Sequence, residues 1–548
     1  MSDKITRRGF VKGAALAGAA TATAALAGCG GEDAAPATNE DGSVKKILRF
    51  GQSNPKLGLD MQISTNSGSS SIADCIFEAP LRWTEDNELV PCLLTEIPTF
   101  EDDGVTLHCT LKEGITCHDG STLTANDVKF SFERMFTPAT AAKSTYMYDM
   151  IKGAKAMLNG EATELEGLTV EDDTHFTFVL EYPMVSFVNN LGINYADIFP
   201  QAAVEKVESE GRKWGWGTDC VGTGKYKVVS NDDTTEVVME KFAEYHGGEP
   251  ALDEVHIIYY DDNNTKLLAF KNGDIDWCDL DATLLKQYQE DPDVKDQITL
   301  YETLGVHFVN LNLRDDMGLT DPRVREALSI AIDRQALVDT VLAGAGTPAM
   351  GWLAPQTPGY DPDAEIPYDP ERAKELIKEA GAEGLTLEAK IRANLYETYM
   401  TVVQSYWKEI GVNLNLTIED NGVWSSDWAD GNCQITAVGW FPLYADGDNH
   451  LYTYFLSDNA KGKSSFYNSP EFDQLVTEAR QEQDQDVRAD LYKQADNLVT
   501  RVDFATIPLY WPKNSFVAKS YVKNAKVGNL IYHMFDIDID TSDPNYSA

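Results

Sequence analysis

The residues with the clearest chemistry lie at the N-terminus. Two arginines, Arg7 and Arg8, precede an uncharged run over 13–28 that is rich in alanine and glycine. This run is too short and too weakly apolar to span a bilayer well, and it ends in small residues before Cys29. A thiol that follows such a cleavage pattern can carry a diacylglycerol group. We therefore predict a twin-arginine lipoprotein signal peptide over 1–28 and lipidation of Cys29. The alternative is an ordinary signal peptide with an incidental cysteine.

The segment after this cysteine differs in composition from the rest of the chain. Residues 29–43 contain no large apolar side chain, so they cannot repay the entropy lost on ordering. We expect a flexible tether that holds the folded body away from the membrane. No later stretch approaches about 18 consecutive apolar residues, so we expect the remainder to be soluble and attached to the membrane through the lipid alone.

The composition limits the classes of function. The 548 residues are 43% hydrophobic and 10% aromatic, which is enough for packed cores in two or three lobes. The formal net charge is −43. Such an acidic surface repels nucleic acids and anionic lipid head groups, so neither is expected as a partner.

Patterns typical of catalytic or metal sites do not occur in the sequence. The chain has no G-x-S-x-G, H-E-x-x-H, P-loop or C-x-x-C-H motif, and its eight histidines form no local ligand pair. We therefore predict that the protein is not an enzyme, that it uses no cofactor and that it holds no metal.

Seven cysteines follow Cys29, and none of them forms a C-x-x-C pair. The predicted export route permits disulfides. Cys109 and Cys117 flank a Lys-Glu-Gly segment and could face each other across a hairpin. Buried free thiols are an equally good prediction.

Strand-like and helix-like segments alternate along the chain, which predicts a mixed α/β protein. Strands are predicted over 46–50, 106–111, 174–181, 236–240, 254–260, 307–311 and 386–391. Two helices are predicted by Asp-Pro pairs, because Asp321 and Asp369 can cap a helix whose first position is proline. We expect the first helix to end near Gly344 and the second at Gly381.

Several sequence blocks together resemble one protein family. They lie in the family's order within 45–532: IFEAPL at 76–81, LKEGI at 111–115, HDGSTLTANDVKFS at 118–131, VGTGKY at 221–226, GDID at 273–276, DPRVREAL at 321–328, YDPERA at 368–373, GW at 439–440 and FDQL at 472–475. Through these blocks the chain is similar to the extracellular solute-binding proteins of oligopeptide, dipeptide and nickel import systems, known as family 5. Any one block alone is weak, whereas the ordered series is specific.

The resemblance implies an α/β fold of the periplasmic-binding-protein type, with two main lobes and an extension subdomain around a deep cleft. Lobe I is expected to be discontinuous, over 44–58, 205–303 and 505–548, with the extension over 59–204 and lobe II over 304–504. The chain would cross between the main lobes twice, near 305–310 and 505–511, and these crossings would form the hinge.

The resemblance also implies a function. We expect a monomeric substrate-binding component of an ABC importer, lipid-anchored on the outer face of the cytoplasmic membrane. It would capture a peptide or similar small solute by cleft closure and pass it to permease subunits. The alternatives are a non-peptide ligand (chelated nickel, haem or an oligosaccharide) and a sensor lipoprotein that works without a transporter.

One loop carries the main candidates for ligand contact. The resemblance places a cleft-lining tryptophan at Trp440, with Phe441 beside it. In peptide-binding relatives an acidic residue three positions after the tryptophan holds the peptide's ammonium group, but here that position is Leu443. Asp446 could replace the carboxylate if the loop shifts its register, and its alternative role is structural. Recognition of a free peptide N-terminus is therefore in question.

Other candidates come from separate segments. A planar guanidinium suits a ligand carboxylate, and dipeptide-binding members use an arginine near the position of Arg392; a surface ion pair is the alternative. Small polar groups at the cleft rim are predicted at Asn66 and Ser67, in a stretch that could equally be an ordinary loop. The remaining predicted wall residues are Asn310, Trp352 and Trp424.

Overall fold

A computed structural model describes residues 37–281, 284–392, 396–528 and 536–548. The predicted export and lipidation residues, Arg7, Arg8 and Cys29, lie outside these ranges. Within them, the helices are all too short or too polar to cross a bilayer. The described end of the predicted tether makes a turn against the folded body, where the Asn39 side-chain amide donates to Asp253 at 3.1 Å.

The strands of the described residues are β1 Ile47–Gln52, β2 Leu81–Trp83, β3 Leu89–Pro91, β4 Thr106–Thr110, β5 Leu168–Val170, β6 His175–Val179, β7 Tyr226–Asn231, β8 Glu236–Lys241, β9 Glu254–Tyr259, β10 Trp277–Asp279, β11 Ile298–Glu302, β12 Val306–Leu311, β13 Gly346–Pro348, β14 Thr386–Arg392, β15 Asn413–Glu419, β16 Ile435–Trp440, β17 Thr506–Ala518, β18 Val522–Lys523 and β19 Asp538–Ile539. All seven strands predicted from the sequence are confirmed, with ends shifted by at most two residues.

The helices of the same residues are α1 Ser67–Ile76, α2 Ala125–Phe136, α3 Ala154–Leu158, α4 Phe187–Asn190, α5 Gln201–Ser209, α6 Asn263–Asn272, α7 Leu285–Glu290, α8 Pro322–Ile330, α9 Arg334–Val341, α10 Pro370–Glu379, α11 Glu397–Glu409, α12 Asn421–Ala429, α13 Thr453–Phe455, α14 Ser457–Ala460, α15 Pro470–Gln481 and α16 Gln485–Asn497. Short 3-10 and π-helical turns join several of them.

The largest sheet runs through most of the molecule in the order β15-β14-β16-β12-β17-β10-β1-β9-β8-β7. Strand β1 is parallel to both of its neighbours, β9 and β10. Its side chains are buried on both faces, as a near-continuous apolar run in a parallel sheet requires. A separate sheet, β4-β6-β5, forms part of the region 59–204.

Strand β17 connects the two halves of the large sheet. Its first half pairs with β12 and β13, and its second half pairs with β10 and β11. The two segments predicted to cross between lobes are therefore neighbouring antiparallel strands, with His307 opposite Tyr510. The pairing of β12 with β17 is irregular between His307 and Phe308. The lobe boundaries themselves stay a prediction.

Both Asp-Pro pairs begin helices. The side chain of Asp321 accepts a hydrogen bond from the Arg323 backbone N–H at 2.9 Å, and Asp369 caps α10 in the same way. The second helix ends before Gly381, whose φ of +67° is the left-handed conformation that glycine favours.

The first of these helices is shorter than predicted. It ends at Ile330, and a second helix, α9, begins at Arg334. The carboxylate of Asp333 caps this new helix by accepting from the Ala336 N–H at 2.9 Å. The prediction of a single helix that reaches Gly344 was therefore wrong. A capping aspartate favours the start of a new helix over continuation of the first.

The seven described cysteines are buried free thiols, so Cys109 and Cys117 do not form the bridge that was one of two predictions. Burial raises the pKa of Cys117 to about 11 and that of Cys278 to about 12. Thiols with such pKa values are poor nucleophiles at neutral pH.

Acid is expected to weaken the fold through His450. This side chain is fully buried, with Nε2 3.3 Å from the Thr357 hydroxyl oxygen, and burial lowers its pKa to about 3. The unfolded chain takes up the proton near pH 6.5, so the stability contributed by the neutral ring is present above that pH and is lost as the pH falls. Urea unfolding measures the free energy of unfolding at pH 7 and at pH 5. The fall in this free energy from pH 7 to pH 5 should be about 2 kcal/mol smaller in His450→Gln than in wild type. Equal losses in the two proteins would contradict this assignment.

Candidate ligand-binding site

A cavity of about 360 Å³ lies between the region 59–204 and the loop that follows β16. This volume falls at the lower end of the range of about 300–1,000 Å³ typical of small-ligand pockets. The lining combines apolar and aromatic side chains with a few polar and charged ones. Its members are Thr65, Asn66, Ser67, Ser70, Asp74, Phe77, Glu78, Ala79, Leu81, Arg82, Trp83, Thr84, Asn87, Cys92, Gly192, Ile193, Asn194, Tyr195, Asp197, Leu443 and Tyr444.

Helix α1 supplies the polar wall of this cavity. Ser67, Ser70 and Asp74 recur at helical spacing, so they share one face over about 10 Å of helix. Asn66 caps the helix by accepting from the Gly68 N–H at 2.8 Å, which uses its side-chain oxygen and leaves its amide N–H groups available. The two rim residues predicted from the sequence, Asn66 and Ser67, thus lie at the exposed mouth of the cavity.

Aromatic side chains close the opposite wall. The rings of Trp83 and Tyr444 are stacked, with centroids 5.9 Å apart and planes 10° from parallel. Trp83 belongs to the region 59–204, whereas Tyr444 and Leu443 belong to the loop after β16. The cavity is therefore bounded from both sides of the predicted cleft, and Leu443 contributes an apolar surface to it.

Glu78 is a fully satisfied carboxylate at the cavity wall. It accepts hydrogen bonds from the hydroxyl groups of Thr223 and Tyr245 at 2.8 Å each and contacts His246 Nε2 at the same distance. Burial is the largest single influence and disfavours its charged form, but the hydrogen bonds with His246, Thr223 and Tyr245 and the charge of His246 together outweigh it, and the net effect lowers the pKa of Glu78. Its position is that of a structural anion.

Asp197 has a different environment at the base of the cavity. Its side chain is 2% exposed, and its Oδ2 has no hydrogen-bond partner among the described residues. Burial, together with the negative charges of Asp74 and Glu78, raises the pKa of Asp197 well above its usual range. Arg82 lines the same cavity; burial lowers its pKa and the charge of Asp74 raises it, with a net rise.

A second cluster lies beside the loop and contains several predicted residues. The Lys463 ammonium is 5.2 Å from the Trp440 ring centroid and 5.4 Å from that of Trp428. Trp428 stacks on Trp424, and the Arg392 guanidinium lies 4.6 Å from the Trp424 ring. This cationic–aromatic cluster brings together three residues that the sequence analysis had taken from separate segments.

The cluster holds two cations but no acidic partner for them among the described residues. Burial lowers the pKa of Lys463, and the Arg392 Nε atom is buried without a hydrogen-bond partner. Both cations are stabilised by aromatic faces instead. Asn310 supports the cluster from below, because its amide donates to the Ser464 backbone carbonyl at 3.0 Å.

The cluster and the cavity are joined by the backbone of the loop. The Trp440 indole N–H donates to the Asn449 carbonyl at 2.9 Å, and the Leu443 backbone N–H donates to the Asn449 side chain at 2.8 Å. Asn449 therefore holds both ends of the segment from Trp440 to Leu443 in place.

Asp446 lies in a buried ion pair. It accepts from Arg488 at 2.7 Å through one oxygen and from the Asn189 amide at 2.9 Å through the other. These partners satisfy both carboxylate oxygens, which fits the structural role that was the alternative to ligand binding for Asp446. The contact with Asn189 joins the loop after β16 to the region 59–204.

The last two candidates lie away from the cavity. Trp352 is fully buried and packs against Phe308 and Phe455, with centroids 4.2 and 4.5 Å apart. Phe441 is 36% exposed and lies edge-on to His307 at 5.6 Å. Neither residue lines the cavity in this conformation.

Most residues of these sites were absent from the sequence prediction, among them the charged residues Asp74, Arg82, Asp197 and Lys463. Asp197 did carry a usable signal, since it is a lone carboxylate in the otherwise apolar run YADIFP at 195–200. Asp74 lies seven positions after Ser67 on the same helix. Lys463 carried no local signal, because its aromatic neighbours come from distant segments.

The sequence model described as "Bacterial extracellular solute-binding proteins, family 5 Middle" matches residues 88–462. The oligopeptide-binding protein OppA of Bacillus subtilis (strain 168) is 24% identical over 522 residues, which are 90% of this chain and 93% of OppA. The glutathione-binding protein GsiB of Escherichia coli (strain K12) is 26% identical over 457 residues, 80% of this chain and 84% of GsiB.

Solved structures show the same fold. The unliganded open form of the periplasmic murein tripeptide binding protein MppA superposes with a TM-score of 0.79 at 22% identity, covering 90% of this chain and 97% of MppA. DppA of Helicobacter pylori in complex with the peptide STSA gives 0.72 at 23% identity, covering 90% of this chain and 98% of DppA. The predicted periplasmic-binding-protein-like α/β fold is therefore confirmed.

Proposed function

The chain belongs to family 5 of the bacterial extracellular solute-binding proteins, and from this premise we propose that it captures a peptide or peptide-like solute for an ABC importer. Members of this family are binding proteins and not enzymes. The observation that carries the proposal is the 360 Å³ cavity, which is bounded by the region 59–204 on one side and by Leu443 and Tyr444 on the other.

The charges around the cavity favour a solute that carries both signs. Three acidic side chains and one guanidinium, that of Arg82, line the cavity itself, whereas the adjoining cluster holds the cations Lys463 and Arg392 without acidic partners among the described residues. A short peptide has an ammonium and a carboxylate group at its two ends. The names of the relatives OppA and GsiB, which refer to oligopeptides and glutathione, point to the same class of solute.

Capture would proceed by closure of the cleft. The neighbouring strands β12 and β17 carry the two proposed crossings and would act as the hinge. A solute that touches both sides stabilises the closed arrangement because only there are all of its contacts made. We further propose export through Arg7 and Arg8, anchoring through a lipid on Cys29, and delivery by the monomer to permease subunits.

One contact across the cleft tests this mechanism. Replacing Asn189 with alanine removes the amide that donates to Asp446 and should weaken the closed arrangement. A hydrogen bond to a charged group contributes about 1.5–3 kcal/mol, so occupancy by short peptides should require about tenfold or more higher concentration. Native mass spectra recorded over a range of concentrations of a mixed di- to pentapeptide library would measure this change in occupancy. Asn415→Ala, which removes a contact to Glu388 within the region 304–504, is the control expected to bind as wild type does.

The proposal as a whole is tested by the same peptide library in solution. Small-angle scattering should show a more compact particle after the library is added, and the melting temperature should rise because ligand binds the folded state alone. A melting temperature and a scattering profile that both stay unchanged at saturating library would refute peptide capture.

A further inference from the structure

Asp197 is a buried acidic residue with one oxygen that has no hydrogen-bond partner among the described residues. It follows the 3-10 turn Asn194–Ala196, and its backbone N–H donates to the Asn194 carbonyl at 3.3 Å. The carboxylate lies at the base of the cavity with 2% exposure, and its Oδ2 is unpartnered among the described residues. Buried carboxylates in folded proteins are almost always hydrogen-bonded or paired, so this one calls for an explanation.

The charged groups that influence Asp197 are negative. Asp60, Asp74 and Glu78 all act on Asp197 as negative charges. Glu78 is occupied by His246, Thr223 and Tyr245, and Asp60 is occupied by Arg134 at 2.8 Å. Arg82 lies under the influence of Asp74. A cation that enters the cavity would therefore lie next to acidic side chains at its inner end.

We propose that Asp197, together with Asp74 on α1, binds the protonated amine of the transported solute at the base of the cavity. This inference rests on the proposed function and names the chemical group that the site selects. An ammonium group fits because it brings positive charge and N–H donors to the Asp197 Oδ2, which lacks a hydrogen bond among the described residues. Groups of three or more acidic, histidine or cysteine side chains suited to a metal ion are absent from the described part of the chain.

The position of Asp197 also accounts for the apolar residue in the loop. Leu443 stands where peptide-binding relatives are expected to carry an acidic residue, and it contributes only apolar surface to the cavity. Asp197 comes from the region 59–204, on the other side of the same cavity. Recognition of the amine would thus be transferred from the loop to the base of the cavity.

The experiment compares amines with their uncharged acetamides. The full chain is incubated with the di- to pentapeptide library, with the same library acetylated at its N-termini, and with a set of non-peptide amines and their acetamides. Native mass spectrometry then counts the molecules retained. Wild type should retain amines over acetamides by about tenfold or more, since hydrogen bonds to charged groups are among the stronger ones.

Asp197→Asn is the decisive variant because it keeps the shape and removes the ionisable group. It should abolish the preference for amines, and it should raise the melting temperature of the empty protein, because a buried carboxyl group whose pKa is raised on folding destabilises the folded state at neutral pH. Glu166→Gln removes one charge from an exposed ion pair with Lys152 in the same region and is expected to leave both properties unchanged.

The outcomes separate this inference from the proposed function. Equal retention of the acetylated and free libraries would keep peptide capture and overturn the role of Asp197. Retention of non-peptide amines alone, lost in Asp197→Asn, would overturn the peptide cargo and support the role of Asp197. An Asp197→Asn protein that keeps the wild-type preference, or a wild type that prefers no amine of either kind, would overturn the inference.

Discussion

Replacing Arg488 with methionine is expected to lower the free energy of unfolding by about 3–5 kcal/mol. Arg488 is 3% exposed and donates to Asp446 at 2.7 Å. Asp448 lies close by, and burial raises its pKa. Without the guanidinium, Asp446 becomes a buried charge without its own ion-pair partner among the described residues, since the nearby Arg480 pairs with Asp448 at 3.2 Å. The cost of leaving Asp446 unpaired far exceeds the net value of the pair.

Urea unfolding at pH 7 measures this loss. Arg372→Met, which removes an exposed guanidinium from α10, serves as the matched control and should change the stability by less than about 0.5 kcal/mol. The double variant Arg488→Met with Asp446→Leu should recover much of the loss, because it removes both charges. A single-variant loss below about 1 kcal/mol would show that the pair does not hold this loop.

Replacing Trp352 with alanine is expected to cost about 3–5 kcal/mol of folding stability. The indole is fully buried among Phe308, Tyr454 and Phe455, with ring centroids 4.2 to 5.0 Å away. Removing it deletes a large apolar surface and leaves a void that its aromatic neighbours fill only in part. Chemical unfolding of the purified variant measures the loss.

The same variant decides between a core role and a ligand-wall role for Trp352. Because the ring does not line the cavity, the variant should retain the peptide library as wild type does at temperatures where it is folded. Trp216→Ala, at a position that is 36% exposed, should cost less than about 1 kcal/mol. Loss of peptide binding in a folded Trp352→Ala protein would show that this tryptophan belongs to the binding site.

The local features of the fold were predictable from the sequence. Alternating apolar residues located the strands, and the carboxylates of Asp321 and Asp369 located two helix starts. The exception was Asp333, where a polar residue inside an apparently continuous helical stripe began a new helix. Local patterns cannot decide between continuation and a second cap, because both leave Ala331 and Ile332 in the core.

The site was less predictable because it depends on contacts between distant segments. Asn66, Ser67 and Leu443 lie at the cavity, and Trp440, Arg392 and Trp424 gather around Lys463. The sequence could not show that Asp446 finds Arg488 and Asn189, since these partners lie 42 and 257 positions away. Nor could it show that the Asp197 Oδ2 has no hydrogen bond among the described residues, because a missing hydrogen bond is a property of the packed structure.

The central claim is that this protein carries a small peptide-like solute, and native mass spectrometry of the chain isolated from its own cell envelope tests it most directly. We predict a population heavier than the bare chain by one small solute, which fragmentation identifies as a peptide or peptide-like molecule with a free amine. The bare mass alone, both as isolated and after incubation with the peptide library, would contradict the claim.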